Sequence, residues 1–218
     1  MKNGEDIAYP NQIFIDYEIS KEDKNRLQFD LLLKDIIGKH KDQSFYDLFE
    51  KGNLDPNYFF YDEVHLIEHC IWNNNYDLFD FLIEKGANPV LKTSYQHSIL
   101  FKIARDHTLK KFEKVFENFD FDIYELTIFK YNLLSSCCRN VSFGINILKY
   151  LLKRTKLDVL HISKSKYSLL DIALHHDNHE VIKFLLKEYG SAIPVNHEKD
   201  KLQLYLKVYE TKKEVKEK

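Results

Sequence analysis

The sequence predicts an all-α chain made of repeated helix–turn–helix units joined by short extended loops. Apolar residues recur in stripes spaced as on one face of a helix. The last apolar residues of successive stripes, Phe49, Ile83, Phe116, Leu152 and Leu186, fall at steps of 34, 33, 36 and 34 residues. A fixed period in this range marks stacked supersecondary units, none of which buries its own apolar face without a neighbour. Only 6 Gly and 4 Pro stand among 218 residues, too few for the many tight turns of an all-β sandwich.

The elements follow in chain order. Residues 1–25 form an N-terminal segment and cap, in which Ser20 with Asp23 three residues on reads as a helix start. The array covers 26–195, with units near 31–64, 65–97, 98–131, 132–167 and 168–197. Each unit opens on a short helix, at 31–39, 65–73, 98–106, 132–140 and 168–176. Their inner faces carry Ile36/Ile37, Cys70/Ile71, Ile103/Ala104, Cys137/Cys138 and Ala173/Leu174. The second helices carry the stripes, for example Leu78/Phe79/Leu82/Ile83 and Val181/Ile182/Leu185/Leu186. Turn formers such as Gly52-Asn53-Leu54-Asp55-Pro56-Asn57 and Gly86-Ala87-Asn88-Pro89 follow them. A charged helix at 198–210 closes the array as a cap, and 211–218 is read as a flexible tail.

Asn74-Asn75-Tyr76-Asp77-Leu78-Phe79-Asp80-Phe81-Leu82-Ile83-Glu84-Lys85-Gly86-Ala87-Asn88-Pro89 resembles the second half of an ankyrin repeat. Residues 166–186 are similar, with Ser168-Leu169-Leu170-Asp171-Ile172-Ala173 standing where that family has T-P-L-H-x-A. The resemblance spans residues 31–190 and departs from the pattern in three ways. No copy has the Pro, none has the His in place, and His40, Asn74, His107 and Asp177 replace Gly at the turn between helices. The fourth unit carries about two extra residues around Val141-Ser142-Phe143-Gly144. The resemblance implies an ankyrin-repeat solenoid with helical caps and short extended or β-hairpin loops.

Composition narrows the function classes. Lys+Arg 32 against Asp+Glu 34 leaves a net charge of −2, so no global basic field draws in nucleic acid or an anionic membrane. No apolar run reaches the roughly 18 residues of a transmembrane helix, and the polar start has no signal-peptide core. Three cysteines make no disulfide framework and fit a reducing, cytoplasmic compartment or delivery into a host cytosol.

Two strings resemble metal sites. His65-Leu66-Ile67-Glu68-His69 matches the H-x-x-E-H of inverted zinc peptidases, and His65, Glu68 and His69 define the alternative reading, a zinc-dependent hydrolase. The register instead makes His65 a helix start. His175-His176-Asp177-Asn178-His179 is the second, but its helix ends near His176 with Asp177-Asn178 as the turn. Cys70, Cys137 and Cys138 take small-residue packing positions and are expected to be buried and inert. No Gly-rich phosphate loop or G-x-S-x-G is present. The expectation is a non-enzyme without cofactor or metal.

What remains is surface. The family's recognition face comprises the loop tip, the residues before the first helix, and that helix's last exposed turn. The resemblance places there Tyr61, Asp62, Val64, Trp72 and Asn73, then Tyr95, His97, Arg105 and Asp106. It adds Phe129, Tyr131, Arg139 and Asn140, then Tyr167, His175 and His176. Tyr, Trp, Phe and Arg dominate this set, as they do interface hot spots. It implies a protein partner held on the concave face by a chain that is monomeric when free. The family implies a host-directed effector or inhibitor, or a toxin-neutralising protein, with a structural scaffold as alternative.

Overall fold

The computed structural model describes residues 21–52, 54–92 and 97–216, and every regular element among them is helical. The helices are α1 (Lys21–Gly38), α2 (Asp42–Gly52), α3 (Leu66–Trp72), α4 (Tyr76–Glu84), α5 (Ile99–Asp106) and α6 (Leu109–Phe116). They continue as α7 (Leu133–Arg139), α8 (Gly144–Arg154), α9 (Leu169–His175), α10 (His179–Tyr189) and α11 (Lys199–Lys216). A 3-10 turn, Gly190–Ala192, follows α10. No helix among the described residues is long and apolar enough to cross a membrane.

The apolar stripes dictate the packing. Each odd helix up to α9 packs on the even helix after it, α1, α3, α5, α7 and α9 pack in succession, and α6, α8 and α10 do the same. Two layers of helices result. Leu33, Phe45, Leu78, Ile103, Phe112, Leu148 and Leu185, each fully buried, belong to one apolar cluster running between the layers. Burying such a side chain contributes about 1.5–3 kcal/mol, so the core scales with the number of units stacked.

The turns between paired helices follow from their residues. His40, Asn74 and Asp177 adopt left-handed backbone, with φ of 51°, 55° and 53°. His107 does not, at φ −125°. It lies buried, its Nδ1 2.6 Å from the Tyr76 hydroxyl, and burial lowers its pKa to about 4. In the fourth unit the extra residues bring α8 onto the end of α7, where a Cβ on Gly144 would stand 2.0 Å from the Cys137 carbonyl oxygen.

Two expectations differ from the structure, and a third, the extended first helix, agrees with it. α11 runs on through Lys216, into the segment 211–218 expected as a tail. Thr211-Lys212-Lys213-Glu214-Val215-Lys216 holds no Gly or Pro to stop a helix. α1 starts at Lys21, ahead of residue 31, as the helix start read at Ser20 and Asp23 implies for an extended first helix. The hairpin loops reduce to tight turns, with a single antiparallel bridge, Phe59 to His65, among the described residues. The Ser20 helix start and the candidate Tyr95 lie outside the described residues.

A further element spaces the odd helices. The last carbonyls of an α-helix have no partner within it, and at α1, α5 and α7 the next unit supplies one. Asn75 Nδ2 donates to Ile37 O at 3.3 Å. Asn140 Nδ2 donates to Ala104 O at 3.1 Å and His107 O at 2.9 Å. Asn178 Nδ2 donates to Cys138 O at 3.1 Å and Asn140 O at 2.9 Å. After α9 the donor is the Lys201 ammonium, 3.1 Å from Leu174 O and 3.2 Å from His175 O, a cation at the negative end of the helix dipole.

Candidate binding face

The turns preceding α3, α7 and α9 are built alike. In turn 60–64, Phe60 N donates to Val64 O and Glu63 N to Phe60 O, both at 3.0 Å. Thr127 and Lys130 do the same in turn 127–131, as do Ser163 and Lys166 in turn 163–167. The hydroxyls of Thr127 and Ser163 accept from Tyr131 N at 3.1 Å and Tyr167 N at 3.0 Å. The fourth residue of each turn is left-handed: Glu63 at φ 61°, Lys130 at 59° and Lys166 at 68°.

Neighbouring turns are bonded into a row. Lys164 N donates to Phe129 O at 2.9 Å, and the His161 ring meets Lys130 O. Asn196 Nδ2 donates to Lys166 O at 2.8 Å, and His197 Nε2 lies 2.9 Å from Ser165 O. The His197 ring stacks on Tyr167 with centroids 4.0 Å apart and planes 12° apart. Asp171, fully buried, anchors this end by accepting from Asn196 N, His197 N and Glu198 N at 3.1, 2.9 and 3.1 Å. It also closes a capping box with Ser168.

The first turn is held differently. Asp30, buried on α1, accepts from the Tyr58 hydroxyl and from Tyr61 N, both at 2.7 Å. Lys34 pairs with Asp62 at 2.7 Å, and His69 Nε2 stands 3.6 Å from the same carboxylate. Burial raises the Asp62 pKa, but His69 and Lys34 outweigh it and bring it down to about 2.

The candidate residues divide by exposure. Tyr61 and Phe129 are 56% and 47% exposed. Trp72 is half-buried with its ring 5.0 Å from His69, and the Asn73 amide donates to His69 O at 2.8 Å. His97 lies half-buried against Phe101. Arg105 contacts Asp106 at 3.1 Å, and Lys102 bonds the same carboxylate. The Arg139 guanidinium lies 5.7 Å from the centroid of Tyr131. His175 is exposed and 3.1 Å from Glu198, while His176 is half-buried. Burial, with Arg139, His175 and Lys201 nearby, lowers the His176 pKa to about 4.

Asn140 and Val64 are corrections. Both are buried, Asn140 because its amide caps α5 and Val64 because it closes its turn against the core. His69 is no surface group either: 5% exposed, it sits between Phe60 and Trp72. His65 packs half-buried on Phe59, and burial pushes the Glu68 carboxyl up to about 7. Among the described residues no three His, Cys, Asp or Glu side chains are grouped to hold a metal. Cys70, Cys137 and Cys138 are free and buried, and burial drives all three thiol pKa values up. Sequence reasoning missed the tip residues Lys130, Lys164 and Lys166 and the stacked His197. Its signal was available in the basic character of two successive loop tips.

A scan against models of known protein families and a search of curated proteins both find no match for this chain.

Proposed function

We propose that this chain is a divergent ankyrin-repeat array that binds a partner protein through its row of turns and the adjoining ends of the odd helices, without catalysis. The observation that carries the reading is the bonded row from Phe129 to Glu198, which holds exposed aromatic and basic groups at fixed spacing on a rigid support. Rigid, partly exposed aromatics lose little rotamer freedom on contact and anchor interfaces for that reason. The 33–36 residue period and the pairing of helices across units support the ankyrin reading. The three buried free thiols fit a reducing, cytosolic setting, where the chain acts as an effector, inhibitor or neutraliser, monomeric until it meets its partner.

The test is site-specific photo-crosslinking in an extract of the native source. A crosslinking residue at Phe129 should capture one dominant protein, and the same residue at Lys153 on α8 should not. Capture from Lys153 with silence at Phe129 would put the partner on the other face.

A further inference from the structure

The three turns share one backbone geometry and differ in charge. The left-handed position of such a turn suits Gly or Asn best, yet it holds Glu63, Lys130 and Lys166. Conformation does not select these side chains, so their sign is the variable. The first turn presents Asp62 and Glu63; the later two present Lys130, Lys164 and Lys166, all exposed. Among the described residues none of these three lysines is ion-paired.

Carboxylates close in sequence or contact to the basic turns are committed elsewhere, Glu125 to Ser98 N, the Ser98 hydroxyl and Lys92. Asp171 is buried under backbone N–H groups, Glu198 faces His175, and Asp158 Oδ1 accepts from Leu160 N at 2.8 Å. The Arg139 guanidinium over Tyr131 extends the basic zone onto α7. Exposed Ile128, Phe129 and Leu160 lie beside the lysines and offer apolar contact between the charges.

Resting on the binding reading above, we propose that the turns 127–131 and 163–167 form a docking site for an acidic, aromatic-containing segment of a partner protein. The exposed negative charge of Glu63, beside an Asp62 already paired with Lys34, disfavours a nucleic acid, whose uniform phosphate charge it would repel. A protein segment can place its acids opposite the lysines alone.

Fluorescence anisotropy with a labelled peptide of four Glu-Glu-Phe repeats tests this, against a peptide of four Lys-Lys-Phe repeats and a uridine oligonucleotide of equal length. The acidic peptide should bind more tightly than both and lose affinity as salt rises. Charge reversal by K130E, K164E and K166E together should weaken it about tenfold or more. The control K110E, K153E and K187E, on α6, α8 and α10, makes the same change in net charge and should shift it less than about twofold. Preference for the lysine peptide, tighter binding of the oligonucleotide, or equal loss in the control overturns the proposal. Crosslinking from Phe129 separates the two readings. Capture of a protein there with no acidic-peptide binding removes only the acidic chemistry, whereas absence of capture removes the binding reading itself.

Discussion

Two carboxylates stand at the same place in two units, three residues past the helix start, and their surroundings drive them in opposite directions. Asp171 follows Ser168, and Glu68 follows His65. Both are buried, at 0% and 4% exposure. For Asp171, burial raises the pKa but is outweighed by N–H donors from Ser168, His197, Glu198 and Asn196, and the net direction is down. For Glu68, burial prevails over the pull of Lys102 and Arg105, and the carboxyl rises to about 7. His65 makes no side-chain cap bond at its helix start. Burial sets the cost of a charge, and the local donors decide its sign.

The largest expected effect comes from breaking the stronger member. Asp171→Ala strips several N–H groups of their acceptor and should cost on the order of 3 kcal/mol at pH 7, read by urea unfolding. A folded pKa depressed below the unfolded value gives stability present above the ordinary value of 3.8 and lost as pH falls through the folded one. The gap between wild type and variant should therefore narrow as pH falls below the ordinary carboxylate range. A gap of the same size throughout would mean that the charge of Asp171 is irrelevant.

Glu68→Gln should work in the other direction. A raised carboxyl pKa means that the folded state holds its proton up to about 7 while the unfolded chain releases it from its ordinary value of 4.5. Stability falls as pH rises through that window. The variant should exceed wild type by on the order of 1–2 kcal/mol at pH 8 and match it at pH 4, a difference that scanning calorimetry resolves. A variant less stable than wild type at pH 8 would mean that the charged carboxylate has donors strong enough to hold it.

Smaller effects sharpen the comparison at the caps. Ser168→Ala should cost about 1 kcal/mol, seen as faster hydrogen exchange at the Asp171 amide. His65→Ser supplies the missing capping-box partner of Glu68 and should gain about 0.5 kcal/mol in thermal unfolding. A loss there would show that the ring of His65 on Phe59 matters more than a cap.

The helices were legible in the sequence because burial imposes a period. The short helices α3, α5, α7 and α9 each fall within the segment expected for them, since Cys70/Ile71, Ile103/Ala104 and their equivalents mark the inner faces. What the period could not convey is polar and crosses between units. Asn140 sits where a recognition residue was expected, and only the packed structure shows its amide spent on Ala104 and His107. The H-x-x-E-H string likewise gave no hint that His69 is enclosed by Phe60 and Trp72. Lys130 and Lys166 carry no periodic signal, because the turn is held by its backbone and leaves the side chain free to vary.

The amides of Asn75, Asn140 and Asn178 have a consequence for biosynthesis. Each one completes the helix end of the unit before it, and Lys201 does so for the last. On the ribosome a unit therefore emerges with its terminal carbonyls still facing water, and they are sealed only when the following unit leaves the exit tunnel. Assembly acquires a direction from the chemistry of a single carboxamide, and α11, which emerges after α9, fastens the end of that helix.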